Sequence, residues 1–135
     1  GTVRLLADRQ GRPLAVVDGI LYFAAPRCDT GCVPDDHLWR TDGTTAGTYL
    51  VESSTGDNVV GPREAVSFAG RLVFIASFGA DAGIWESDGT PSGTHAIRHL
   101  GSTGFFDPEL ELAGQKVYFS GFDPVRGQEL WAIHQ

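Results

Sequence analysis

The chain has 135 residues, of which 10 are basic and 17 acidic, and its formal net charge is −7 at pH 7. Lys116 is the only lysine, so no basic stripe can follow a phosphate backbone, and we predict that nucleic acid is not a partner. No window approaches the roughly 20 consecutive apolar residues of a transmembrane helix, so we expect no membrane insertion.

A tryptophan recurs every 46 residues, at Trp39, Trp85 and Trp131. In the first two copies an Asp-Gly-Thr triplet and then a Gly-Thr pair follow the Trp at equal distances. The third copy stops soon after its Trp, but Gly1-Thr2 lies 46 residues before Gly47-Thr48 and supplies the missing half. A repeat of this period is typical of stacked or radial repeat architectures. We therefore predict a single repeat domain over 1–135, with permuted units at about residues 8–53, 54–99 and 100–135, the last completed by 1–7.

Each unit contains four strand-like segments bounded by turn residues, as in a small all-β sheet. In chain order the first segments are 14–17, 64–68 and 109–112, and tight turns follow at Asp18-Gly19, Ala69-Gly70 and Ala113-Gly114. The second segments, 20–25, 72–76 and 117–120, are nearly continuously apolar, which suits strands covered on both faces. The third segment carries the Trp, and the fourth is predicted at 48–53, 94–99 and 2–7.

These segments resemble a bacterial repeat family whose units run Glu-Leu-Trp, Asp-Gly-Thr, then Gly-Thr and an aliphatic strand. Glu129-Leu130-Trp131 matches the opening of that unit, and Gly70-Arg71-Leu72-Val73-Phe74 matches its second strand. The resemblance covers all three units and implies a β-propeller that is secreted or on the cell surface, with no single activity. The third copy departs from the family at Ala132-Ile133-His134, where the family has a polar Ser/Thr-Asp, so we expect its turn to be rebuilt at the termini.

The predicted fold is therefore all-β, with three four-stranded antiparallel blades of a β-propeller. Natural propellers contain about 4 to 8 blades, and three blades would expose the apolar faces of the terminal ones, so we predict a homodimer of six blades. Residues 1–7 would supply the fourth strand of the sheet that ends at Trp131, from the same chain or from its partner. A three-fold monomer such as a β-trefoil or β-prism is the alternative, because it also uses twelve strands in about this length.

Variation in loop length predicts where a ligand binds. From the first turn glycine of each unit to its Trp the spacing is 20, 15 and 17 residues, whereas the Trp-to-Gly-Thr spacing is 8 in both complete copies. In a four-stranded meander the variable loops share one face, and loops on a rigid scaffold commonly carry binding. The candidate ligand-binding residues on that face are Arg27, Asp35, Asp36, Asp57, Asn58, Phe78, Asp81, Phe105, Asp107, Asp123 and Arg126. The alternative is that they serve turn geometry and packing under the loops.

The repeated residues are interpreted as structural. Trp39, Trp85 and Trp131 recur within strands between aliphatic and polar neighbours, which favours packing between sheets over a role as sugar platforms. Asp42 and Asp88 precede Gly-Thr in a strand connection, where an Asp side chain bonds to the backbone of its own turn. Cys28 and Cys32 are separated by three residues in a turn-rich segment, and we predict a disulfide between them, which requires a compartment outside the reducing cytosol.

Catalytic and metal-binding patterns are absent from the sequence. None of His37, His95, His99 and His134 belongs to a nucleophile or general-base arrangement, so we predict no enzyme activity and no cofactor. His95 and His99 would point to the same side of a fourth strand, but this weak hint does not lead us to predict a metal site. We expect a non-enzymatic extracellular binding module, most simply lectin-like and carbohydrate-binding, because polar groups beside aromatics suit a saccharide. The alternative is a structural or adhesive propeller fragment that contacts another protein.

Overall fold

The structure is a computed structural model that describes residues 11–27, 35–56, 59–79, 81–101, 109–123 and 125–134. These residues form the strands β1 Arg12–Val17, β2 Ile20–Pro26, β3 Asp36–Thr41, β4 Tyr49–Leu50, β5 Arg63–Phe68, β6 Arg71–Phe78, β7 Asp81–Ser87, β8 His95–Gly101, β9 Leu110–Ala113, β10 Lys116–Asp123 and β11 Gly127–His134. Within these ranges there is no helix long and apolar enough to span a membrane.

The strands form three separate antiparallel sheets, each a meander of strands that follow one another in the chain. Sheet I has the order β1-β2-β3-β4, sheet II has β5-β6-β7-β8, and sheet III has β9-β10-β11. Each Trp lies opposite a Phe of the second strand, since Phe23 pairs with Trp39, Phe74 with Trp85 and Phe119 with Trp131. The all-β prediction is confirmed, with antiparallel sheets of four, four and three strands.

The first turn of each sheet depends on residues that tolerate a positive φ. Asp18 and Gly19 have φ of 49° and 81°, and Ala69 and Gly70 have 54° and 75°, so both turns carry the two left-handed residues of a type I′ hairpin. The turn predicted at Ala113-Gly114 is wrong by one residue. Ala113 stays in β9 and pairs with Lys116, because Gly114, at φ 62°, supplies the one positive φ that a type II′ turn requires.

The fourth strand of sheet I is shorter than the predicted segment 48–53. Beyond β4 the chain turns toward sheet II, where the Ser54 N–H donates to the Thr94 carbonyl over 2.8 Å. Val51 and Val59 are then buried in the core between sheets I and II. The Val51 N–H still donates to the Leu38 carbonyl of β3 over 2.8 Å, one residue beyond β4. The predicted fourth strand at 2–7 lies outside the described residues.

Sheet II lies between the other two sheets and has an apolar core on each face. Its face with Phe74 and Trp85, which we call the Trp face, packs on Tyr22 and Leu38 of sheet I. The opposite face of sheet II, with Ile84, packs on the Trp face of sheet III, where Val117, Phe119 and Trp131 lie. The Trp face of sheet I forms a third cluster, in which the described residues Leu21, Phe23, Ala25, Trp39 and Leu50 all come from sheet I itself.

The Asp-Gly-Thr turns are held by the aspartate side chains, as the sequence predicts. Asp42 Oδ1 accepts from the Thr44 N–H at 2.9 Å and from its hydroxyl at 2.6 Å, and Asp88 makes the same two bonds to Thr90. These hydrogen bonds from the threonines lower the pKa of both carboxyl groups. The recurring Gly of the Gly-Thr pair has a spatial reason, because a Cβ on Gly93 would lie 2.1 Å from Asp88 Oδ1.

The turn of sheet II also contacts sheet I. A Cβ on Gly89 would lie 2.8 Å from the Tyr22 hydroxyl and 2.9 Å from Arg40 Nη1, so the backbone of the turn lies directly on these two side chains. Burial raises the pKa of Tyr22, and the nearby Arg40 guanidinium offsets part of that rise. Tyr22 is therefore a buried residue of the interface between sheets I and II, with its hydroxyl next to the turn of sheet II.

Tyr22 makes the stability of the fold sensitive to alkaline pH. Because its pKa is raised above 10 in the folded protein, the folded state holds the proton more firmly than the unfolded one, and stability is lost as pH rises above 10. We expect one of the three tyrosines to ionise late in a titration followed by phenolate absorbance, and Tyr22→Phe to remove that late component. A late component that survives in Tyr22→Phe would contradict the assignment.

Candidate functional site

The segment between β4 and β5 joins the loop ends of sheets I and II. Val60 bridges to His37, and the Ser77 N–H donates to the Val60 carbonyl over 2.9 Å. The Gly61 N–H donates to the Asp36 carbonyl over 2.8 Å. These backbone bonds come from the start of β3 and the end of β6, so the variable-loop ends of the two sheets form one continuous surface.

A polar cleft of about 390 Å³ lies on this surface, on sheet II. Three polar residues line it: Arg63 at the start of β5, Ser77 near the end of β6, and Asp81 at the start of β7. The remaining lining residues are small or apolar: Gly61, Ile75, Ala76, Gly79 and Ala82. Ile75, Ala76 and Ala82 are buried, so the accessible lining of the cleft is mostly polar.

Asp81 is oriented by a histidine of the neighbouring strand. His99 Nε2 lies 2.9 Å from Asp81 Oδ2, and both side chains are partly exposed. The carboxylate therefore faces His99 with one oxygen, and Asp81 lines the cleft together with Arg63 and Ser77. Arg63 offers donors, Asp81 acceptors and Ser77 both. Such a set can hold a small polyhydroxylated ligand by hydrogen bonds.

The predicted ligand-binding residues are only partly brought together. Asp81 lines the cleft, while Arg27, Asp35 and Asp36 lie at the ends of β2 and β3, at the loop end of sheet I. Arg126 is exposed, and its Nη1 atom lies 3.8 Å from Glu129 Oε1. Asp57, Asn58, Phe105 and Asp107 lie outside the described residues, as do the side chains of Phe78 and Asp123. Cys28 and Cys32 also lie outside them, so the disulfide stays a prediction.

Sequence reasoning missed Arg63, Ser77 and His99. Arg63 ends a predicted variable loop but was not singled out, Ser77 adjoins the predicted second strand, and His99 lies in the predicted fourth strand. One signal was present: Ser77 is a polar residue at the end of an otherwise apolar strand, just before Gly79. Gly61 and Gly79 have φ of 66° and 63°, so the backbone turns sharply at two places on the cleft rim.

The tryptophans lie in the apolar clusters. Trp85 stacks on Phe74 with ring centroids 6.4 Å apart, and Trp131 packs against the core between sheets II and III. Trp39 is buried, and its indole N–H donates to the Ala25 carbonyl over 3.2 Å. These contacts favour the packing interpretation over the sugar-platform interpretation.

The expectation that His95 and His99 point to the same side of their strand is wrong. Glu86 pairs with His95 and Gly83 with His99, and a bulge at Ile97 inserts one residue between these pairs. The bulge reverses the alternation of side chains, so each histidine meets a different carboxylate, His95 with Glu86 and His99 with Asp81, both at 2.9 Å. Among the described residues no group of three or more His, Cys, Asp or Glu side chains is placed to hold a metal ion.

Comparison with known proteins found no family model, no curated protein and no solved structure that matches this chain. The resemblance to the Glu-Leu-Trp…Asp-Gly-Thr repeats therefore stays a prediction.

Proposed function

We propose that this chain is a non-enzymatic, extracellular carbohydrate-binding module, built from blades of a β-propeller, that takes its ligand at the cleft of sheet II. The observation that carries the proposal is that the polar residues Arg63, Ser77 and Asp81 line one cleft at the variable-loop end. A saccharide presents many hydroxyl groups, and these residues offer hydrogen-bond donors and acceptors for them.

The blade architecture is supported by the way the sheets stack. The clusters on the two faces of sheet II are separate, so the sheets do not converge on one shared core as in a three-fold prism. The first strands also follow one another in space, since β1 contacts β5 and β5 contacts β9. Meander sheets that stack face to face with their first strands adjacent are the arrangement expected of propeller blades around an axis.

The charge of the chain narrows the class of saccharide. A net charge of −7 disfavours polyanionic glycans through long-range repulsion, although Arg63 provides one local cation. We therefore expect a neutral sugar whose hydroxyls accept charge-assisted hydrogen bonds from Arg63 and donate them to Asp81. The secreted or cell-surface location belongs to the same proposal.

A glycan array probed with the purified protein, followed by calorimetry with the best neutral saccharide, tests this function. We expect Asp81→Asn to weaken binding at least tenfold, because a neutral amide replaces the charged acceptor. Asp18→Asn is the matched control, since Asp18 lies in a first-turn hairpin at the opposite end of sheet I and Asn tolerates its positive φ of 49°. Binding that Asp81→Asn leaves unchanged would overturn the cleft as the site.

An adhesive protein contact is the second candidate, and the observation that favours it is Val125. This side chain is 92% exposed in the turn between β10 and β11, at the same loop end as the cleft. Uniform silence on the array would favour this candidate over the carbohydrate proposal.

A further inference from the structure

A second pocket, of about 270 Å³, lies between sheets II and III, at the end of sheet II that is opposite the cleft. Its lining residues come from the first turn of sheet II, from β6, β7 and β8, and from the end of β11. None of them lines the cleft, and the accessible lining of this pocket is mostly apolar. An apolar cavity of about 150 Å³ is enough to hold a benzene molecule, so the pocket has room for a ligand of one aromatic ring.

The two interfaces between the sheets differ at one cross-strand pair. In sheet I, Tyr22 of β2 pairs with Arg40 of β3, and in sheet II the same position of the repeat has Val73 paired with Glu86. In both sheets the first residue of the pair precedes the Phe, and the second follows the Trp, of the neighbouring Phe-Trp pair. Both pairs therefore lie on the face of their sheet opposite the Trp face, which is the face that the next sheet covers.

The difference in size at this pair explains why only one interface contains this pocket. Between sheets I and II the phenol ring of Tyr22 fills the position, with 2% of the residue exposed and the Gly89 turn directly on its hydroxyl. Between sheets II and III the same position has the isopropyl group of Val73, and both Val73 and Glu86 line the pocket. The pocket thus lies where the other interface places a phenol ring.

The wall of the pocket is apolar on several sides. Phe68 at the end of β5 and Ile133 of β11 line it, and both also contact the core between sheets II and III. The bulge in β8 adds Ile97, an extra residue that lines the pocket while 39% of it is exposed. Bulges redirect side chains and are frequent beside binding sites. An aromatic ring in the pocket would therefore contact apolar groups from both sheets.

The rim of the pocket is polar but carries charges of both signs. Arg71 Nη1 lies 3.0 Å from Glu86 Oε1, and His95 Nε2 lies 2.9 Å from the same oxygen. Because the guanidinium and the carboxylate neutralise each other, the rim favours a neutral polar group over a charged one. A hydroxyl group suits such a pair, since it can accept from a guanidinium and donate to a carboxylate.

We propose that this pocket is a binding site for a small neutral phenol, a single aromatic ring that carries one hydroxyl group. The ring takes the place that Tyr22 has at the other interface, and the hydroxyl faces Arg71 and Glu86 at the rim. The site shares no residue with the cleft, so it does not depend on the saccharide proposal. It would give the protein a second ligand, held between two sheets rather than at the variable-loop end.

Titration of the full, isotope-labelled chain with 4-methylphenol, followed by NMR, tests the site. We expect saturable shift changes centred on the backbone amides of Val73, Glu86 and Ile133. Val73→Tyr should abolish these changes, because the new side chain supplies the phenol ring that sheet I already has at this position. Val16→Tyr is the matched control, since Val16 is 58% exposed on β1 and does not line the pocket, and it should bind as the unmodified chain does. The NMR spectrum of each variant also shows whether it has folded.

A second variant and a second ligand keep the test decisive if Val73→Tyr does not fold. Ile97→Asp changes a partly exposed residue and puts a carboxylate on the apolar wall, so we expect it to weaken binding by about tenfold or more. The ligand 4-methylbenzoate has the same ring with a charged group, and we expect it to bind about tenfold more weakly than 4-methylphenol. The proposal is overturned by the absence of saturable changes at the pocket amides, by unchanged binding in folded Val73→Tyr or Ile97→Asp, or by equal affinity for 4-methylbenzoate.

Discussion

Phe74→Ala is expected to lower the free energy of unfolding by about 3 to 5 kcal/mol, the range measured for removal of a buried aromatic side chain. Phe74 is fully buried, and its ring stacks on Trp85 in the cluster that joins sheets I and II. The substitution removes the apolar contact area of the ring and leaves a cavity between two sheets, which can close only if the sheets move together. For a chain of 135 residues such a loss is a large part of the total stability.

Urea denaturation followed by tryptophan fluorescence measures this change. Phe74→Leu should lose much less than Phe74→Ala, because a branched side chain refills most of the space. Val125→Ala is the exposed control and should change stability by no more than about 0.5 kcal/mol. Equal stability of Phe74→Ala and the unmodified chain would mean that sheets I and II do not pack through this face.

Gly93→Ala is expected to destabilise the protein by about 1 to 3 kcal/mol, although a single methyl group is added at a turn. The new Cβ would lie 2.1 Å from Asp88 Oδ1 and 2.2 Å from its Cγ, so the carboxylate must leave its position. When it leaves, its hydrogen bonds to the backbone N–H and hydroxyl of Thr90 are lost. The same turn contacts Tyr22 at the interface with sheet I, so we expect the substitution to weaken the packing of sheets I and II as well as the turn itself.

A double-mutant cycle separates this clash from a general effect of alanine. In an Asp88→Ala background the carboxylate is already gone, so adding Gly93→Ala should cost much less than it does alone. Gly19→Ala is the contrasting control, because a Cβ there meets nothing within 4 Å and only the positive φ of 81° is strained. Full additivity of Asp88→Ala and Gly93→Ala would contradict the close contact as the reason for glycine at this position.

The local features of the fold could be predicted from the sequence because they depend on residues that are close together in the chain. The alternation of apolar runs with Gly-containing turns predicted the second strands, and β2 begins at the predicted Ile20. The Asp-Gly-Thr spacing likewise predicted the side-chain bonds of Asp42 and Asp88. The third hairpin was misplaced, because whether a Gly takes the first or second place in a two-residue turn depends on the register of the strands around it.

The candidate site could be predicted less well from the sequence. Of its polar residues only Asp81 was predicted, as part of a variable loop, and the structure adds Arg63 and Ser77 from β5 and β6. Nothing in the local sequence shows that the start of β5 and the end of β6 share a cleft with the start of β7. The bulge at Ile97 is a second example, because one extra residue reversed the direction of His99 and brought it to Asp81.

By itself the sequence determined the repeat, its strand order and its turn chemistry, because a 46-residue period, alternating apolar runs and glycines at turns act over a few residues. Only the tertiary structure decided which faces meet. Leu38, Ile84 and Leu130 occupy one repeat position, yet two are buried and one is exposed, because burial depends on a neighbouring sheet that no local pattern records. The cleft arose in the same way, from strands of sheet II whose polar residues become neighbours only when the sheet has formed.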